Sequence, residues 1–227
     1  MIVSEFTSGH LMLSAHRETI SRHIRNEVIT IPLNHKWAAF FTPNDQYLEY
    51  EDAPSFIYEL SKDAPVLYFC NFGDHFWGYR IFSAGREEAY LRFTYELEEE
   101  ALVEFYKAKY PTRDILALYG EAYDEVHAAF LEQGGLKHAK QVLFQESHVE
   151  AFRLFEVPEE QIAKLRGMLT ANNDSTGDQK FDLVDQFKAC IGMEEMSYLR
   201  YDQLLEQDSE PEGDIIDAYV FRSGRSK

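Results

Sequence analysis

The chain has 227 residues, 45% hydrophobic and 15% aromatic, enough to bury a sizeable core and too apolar for a disordered polymer. Forty acids against 22 bases set a formal charge of −18, which repels phosphate backbones and anionic lipid and draws basic proteins or cations. General nucleic-acid binding and membrane binding are thereby disfavoured, and no apolar run reaches the length of a membrane-crossing helix.

Residues 1–13 lack the basic, apolar and small-residue regions of a secretory signal, so a cytoplasmic protein is expected. Cys70 and Cys190 match no metal or redox spacing and read as buried thiols in a reducing compartment. The charge is uneven. Residues 1–36 hold Arg17, Arg22, Arg25 and Lys36 against Glu5, Glu18 and Glu27, a formal +1 that leaves −19 for the remainder. Four of the eight histidines, His10, His16, His23 and His35, also lie there.

In chain order, Phe6, Leu13, Ile20 and Ile24 recur at helical spacing and predict an amphipathic helix to about residue 26. His16 and His23 would flank its apolar stripe, two turns or about 10 Å apart, too far to share a metal ion. Protonated, they would add positive charge to an arm able to dock on acidic surface. Strands are expected over 27–33 and 36–42, with a turn at Pro43-Asn44-Asp45 and a helix over 52–61 that has Asp52 as cap and Pro54 in its first turn.

Residues 65–96 read as a three-stranded β-meander and the centre of the fold. Trp77, Tyr79 and Ile81 alternate with Phe76, Gly78, Arg80 and Phe82, and Ala89, Leu91, Phe93 and Tyr95 alternate with Tyr90, Arg92 and Thr94. Two arginines on one face predict a sheet packed on one side and partly wet on the other. Asp74-His75 resembles a catalytic dyad, but adjacent strand residues point to opposite faces, so the pair reads as a polar turn.

Glu98, Glu99 and Glu100 open a helix to about Tyr110, where carboxylates face the positive end of the helix dipole. A second helix is expected over 113–133, ending at Gly134-Gly135, with Glu121 and Glu125 on a solvated face. Residues 136–146 fit helix or strand, and the alternation over 147–157 favours a strand. Pro158 and the acids after it start a helix to about Leu169. Residues 170–179 form a polar loop, 181–190 a helix, and Tyr198 to Leu205 one more.

Between 194 and 217 stand nine acids, Glu194, Glu195, Asp202, Glu206, Asp208, Glu210, Glu212, Asp214 and Asp217, against Arg200 alone. Apolar residues over 215–221 then predict a final strand that docks back.

The expected fold is α+β, a mainly antiparallel sheet with the meander at its centre and helices packed against it. One domain over 1–227 is expected, with a possible split near 146 into a sheet-rich lobe (1–145) and a smaller α/β lobe (146–227). No dinucleotide or P-loop glycine pattern, nucleophile elbow, HExxH, EF-hand loop or CxxC is present, so no cofactor or metal is called for and enzyme activity is not indicated.

Three functional readings follow. The first is an acidic protein-binding or neutralising module that steers onto a basic partner, by analogy of charge and size with immunity proteins and regulators, with the 194–217 acids as its contact surface. The second is a small-molecule site or enzyme beside the meander, using His75, Tyr79, Arg80, Tyr90 and Arg92. The third is homo-oligomerisation through the N-terminal helix.

Overall fold

A computed structural model of the protein describes residues 5–24, 27–43, 45–48, 52–120, 122–171 and 179–207. The fold is α+β, built on a six-stranded antiparallel sheet. Its strands are β1 (Phe6–Leu13), β2 (Ile29–Pro32), β3 (Trp37–Phe41), β4 (Val66–Phe72), β5 (Phe76–Ser83) and β6 (Arg86–Thr94), in the order β2-β3-β1-β4-β5-β6. The meander β4–β5–β6 is as expected, as are β2 and β3. Helices α1 (Arg17–His23), α2 (Ser55–Asp63), α3 (Leu97–Lys109), α4 (Tyr123–Glu132), α5 (Gly135–Phe144), α6 (Glu159–Met168), α7 (Gln179–Ile191) and α8 (Tyr201–Gln207) surround it.

The N-terminal helix is the main correction. Residues 6–13 form β1, the strand that joins the two halves of the sheet, and only Arg17–His23 are α-helical. Leu13 packs on one face of the sheet while Ile20 and Ile24 pack on the other, so the spacing that suggested one helical stripe serves two cores. Thr7, Ser8 and Gly9 are buried because their strand is paired: β1 meets β4 through Phe6–Leu11, and the Ser8 amide donates to the Leu199 carbonyl. A Cβ on Gly9 would lie 2.5 Å from the Phe41 ring, so this strand approaches its neighbours too closely for a larger residue. The arm on which self-association was expected to rest is thus an inner strand of the protein's own sheet.

Both faces of the meander carry packed cores, and the second stays partly open along β6, where the Arg92 side chain is 24% exposed. On the first, Trp77, Tyr79, Ile81 and Leu91 join Phe152, Phe155, Ile162, Leu165 and Phe187 from the second half of the chain. On the second, Phe40, Tyr68, Cys70 and Phe82 meet Ile20, Ile57 and Leu60 of α1 and α2, together with Tyr47 and Leu48. Arg80 therefore sits 8% exposed instead of in solvent. Helices α3, α4 and α5 enclose a third core of Leu102, Tyr106, Leu118, Val126 and Phe130 at the β6 edge.

Two further expectations change. Residues 147–157 contain no strand; Val149–Phe155 is a 3-10 helix bounded by left-handed His148 and Glu156. Its buried residues Val149, Phe152 and Phe155 recur every three positions, the period of that helix, which a two-residue reading of so short a run misses. The helix expected over 113–133 breaks into a 3-10 turn at Ile115–Ala117 and α4, with Asp114 accepting the Leu116 amide as a cap. Residues 136–146 resolve as α5. The strand expected over 215–221 and most of the 170–179 loop lie outside the described residues.

Candidate functional site

The five residues expected to line a pocket beside the meander do not converge. Cross-strand register puts Arg80 opposite Tyr90 and Gly78 opposite Arg92 on one face, whereas Tyr79 lies opposite Leu91 on the other. Tyr79 is fully buried, stacks on Phe187 and donates to the Ser147 carbonyl at 2.7 Å. Burial pushes its phenol well above the ordinary range. The Arg80 guanidinium is held by Glu87, with Nε–Oε2 2.8 Å, and by the Tyr47 carbonyl. The Tyr90 hydroxyl donates to the Leu48 carbonyl at 3.3 Å. His75 is in the exposed β4–β5 turn, its Nε2 3.9 Å from Asp74, with both side chains in solvent. That is the polar turn expected of Asp74-His75.

Arg92 lines a concavity. A cleft of about 530 Å3 opens between the end of β6, the first half of α3 and Tyr119. Glu96, Glu99, Glu100 and Glu104 bring four carboxylates to it against the one guanidinium of Arg92, and Val103 and Tyr119 supply apolar surface.

The local chain explains this placement. Thr94 ends β6, accepts the Glu96 amide and donates its hydroxyl to Glu100, so strand passes to helix in three residues. Arg92 Nη1 lies 3.2 Å from Glu100 Oε2, and its guanidinium rests 5.0 Å from the Phe76 ring centre. Glu99 accepts from the Tyr119 hydroxyl at 3.2 Å, and Glu98 pairs with His127 at 2.8 Å. The acids that open α3 therefore serve more than the helix dipole: each of the three also fixes a neighbour.

Glu195 accepts from the Asn34 amide at 2.9 Å and Asp202 pairs with Arg200 at 2.8 Å. Glu194 and Glu206 lie on the same stretch. Asp208, Glu210, Glu212, Asp214 and Asp217 lie outside the described residues.

Sequence reading missed a second polar group, buried in the second core. His10 of β1 is fully buried, with Nε2 2.8 Å from the Tyr47 hydroxyl and the ring stacked on Phe40 at 4.6 Å. Asp45 is 4% exposed and accepts the Thr42 amide and hydroxyl, while the Tyr68 hydroxyl donates to the Asp45 carbonyl. Burial lowers the His10 imidazole to about 3 and raises the Asp45 carboxyl to about 7. Local sequence places His10 in a helix and Asp45 in a turn. No local pattern links positions 35 apart, so the pair had no signal of its own.

Among the described residues no group of three or more His, Cys, Asp or Glu side chains is placed to hold a metal ion, and no helix is long and apolar enough to cross a membrane. What the cleft can do chemically is receive a cation, with carboxylates for charge-assisted hydrogen bonds and a phenol ring for cation–π contact. No family model, no curated protein and no solved structure matches the chain.

Proposed function

We propose that the protein is an acidic binding module that engages a basic partner protein, with arginine or lysine side chains of that partner entering the cleft between β6 and α3. The observation that carries this reading is the cleft itself: four carboxylates against one guanidinium beside an exposed tyrosine, in a chain of net charge −18. The overall field raises the encounter rate with a positively charged surface, and the cleft supplies the short-range contacts that orient it. Nucleic acid is disfavoured by the same field. A cytoplasmic setting is part of the proposal, since Cys70 and Cys190 form no disulfide.

The test uses a fluorescent arginine-rich peptide and its binding anisotropy at about 50 and 300 mM salt. Tight binding at low salt that collapses at high salt is expected. Glu99→Gln with Glu104→Gln should weaken it about tenfold, about 1.4 kcal/mol. Glu132→Gln with Glu160→Gln removes the same charge away from the cleft and should change affinity less than twofold or so. Equal losses from the two double variants would remove the cleft from the proposal, and an absence of binding at low salt would remove the proposal itself.

A further inference from the structure

His10 and Asp45 face each other inside the second core, with Nδ1 3.7 Å from Oδ1. That is too long for a hydrogen bond. Burial strips both side chains of solvent, which favours the neutral imidazole and the protonated carboxyl. Hydrogen bonds around this pair tie the segment after β3 to β1 and β4. Asp45 holds Thr42, Tyr68 of β4 holds the Asp45 backbone, and Tyr47 reaches His10 while stacking on Tyr68 at 4.2 Å. The segment is thus fastened to the sheet through neutral groups.

The ionisable groups around Tyr47, which bonds to His10, are Asp45 itself, Tyr68 and Cys70 of β4, Tyr58 of α2 and Arg80 of β5, and Arg80 is paired with Glu87 of β6. Burial holds the Tyr47 and Tyr68 phenols protonated, and Arg80 is already committed to Glu87.

We propose that His10 and Asp45 form a compensating clasp, in which opposite charge preferences cancel so that the segment carrying Thr42, Asp45 and Tyr47 stays pinned over a pH range in which either residue alone would release it. The sign of each contribution follows from linkage. Closed, Asp45 keeps its proton to about pH 7, against an ordinary value of 3.8, so its contribution is complete in acid and is lost as pH rises between those values. Closed, His10 resists protonation to about pH 3, against an ordinary 6.5, so its contribution is complete above 6.5 and is lost as pH falls toward 3. The two windows overlap almost completely and slope in opposite directions.

Amide hydrogen exchange of Thr42 and residues 45–48, referred to the β4 amides in the same molecule, reads the clasp directly. In the wild type, protection should change by less than about threefold between about pH 5 and 8. In Asp45→Asn, with His10 uncompensated, it should fall at least about tenfold from pH 8 to 5; in His10→Gln it should fall at least about tenfold from pH 5 to 8. A wild type that moves tenfold, or variants that both keep the flat profile, would overturn the clasp. Should the variants fail to fold, nuclear magnetic resonance of the wild type decides. A neutral His10 ring across this range with an Asp45 carboxyl titrating near neutrality supports it, whereas an imidazolium at about pH 6 or a fully ionised Asp45 at about pH 5 refutes it.

Discussion

Phe187→Ala is expected to lower the free energy of unfolding by about 3–5 kcal/mol, among the largest effects of any single truncation in the chain. Phe187 is fully buried on α7 and is the point where the second half of the chain locks onto the sheet. Its ring stacks on Tyr79 at 5.2 Å and on Phe69 at 6.1 Å, and lies 5.0 Å from Trp77 and 5.6 Å from Phe152. Four aromatic neighbours from β4, β5 and the 3-10 helix cannot all shift to fill the space, so most of the lost volume remains as a cavity. Urea unfolding checks this: a lower midpoint with an unchanged slope is expected. Phe187→Leu should cost no more than about 1.5 kcal/mol. An alanine variant within about 1 kcal/mol of wild type would mean that α7 does not seal this face.

Lys188→Ala, one position along, is expected to cost a similar 3–5 kcal/mol or so for a different reason. The Lys188 side chain is 2% exposed and the Glu5 side chain 14%, with Nζ 2.7 and 2.9 Å from the two carboxylate oxygens. Nζ also donates to the Ser197 hydroxyl at 2.8 Å, and Glu5 accepts from Thr7 and Asn71. Removing the ammonium leaves a mostly buried carboxylate without its countercharge, a greater penalty than the net worth of the pair.

The double variant Glu5→Leu with Lys188→Met should therefore recover most of the loss, because neither charge is then stranded. A double variant no more stable than Lys188→Ala would contradict this account. Exposed pairs such as Lys62–Glu59 offer the contrast: they are solvated on both sides and are each worth less than about 1 kcal/mol.

The pattern of misses follows from what local sequence encodes. Strands β2 to β6 were legible because each alternates or is continuously apolar over four to nine residues, and α3 and α6 because acids and Pro158 mark their starts. β1 was not. Its Thr7-Ser8-Gly9 core is polar and small, and those residues are buried only because strands and the Leu199 backbone pair with them. The candidate sites divide in the same way. Arg92 and the α3 acids were visible as residues, but their common cleft depends on Tyr119, which returns to α3 from twenty residues beyond Glu99.

Fold class, the alternation that assigns meander residues to faces, and a net charge of −18 all follow from the amino-acid order. Long-range packing sets how far each face is covered, brings His10 to Asp45, and joins Glu5 to Lys188 across 183 positions. The difference is one of range. Periodicity and capping act within a few residues of chain, whereas burial, and the ionisation and pairing that follow from it, depend on which distant segments exclude water together.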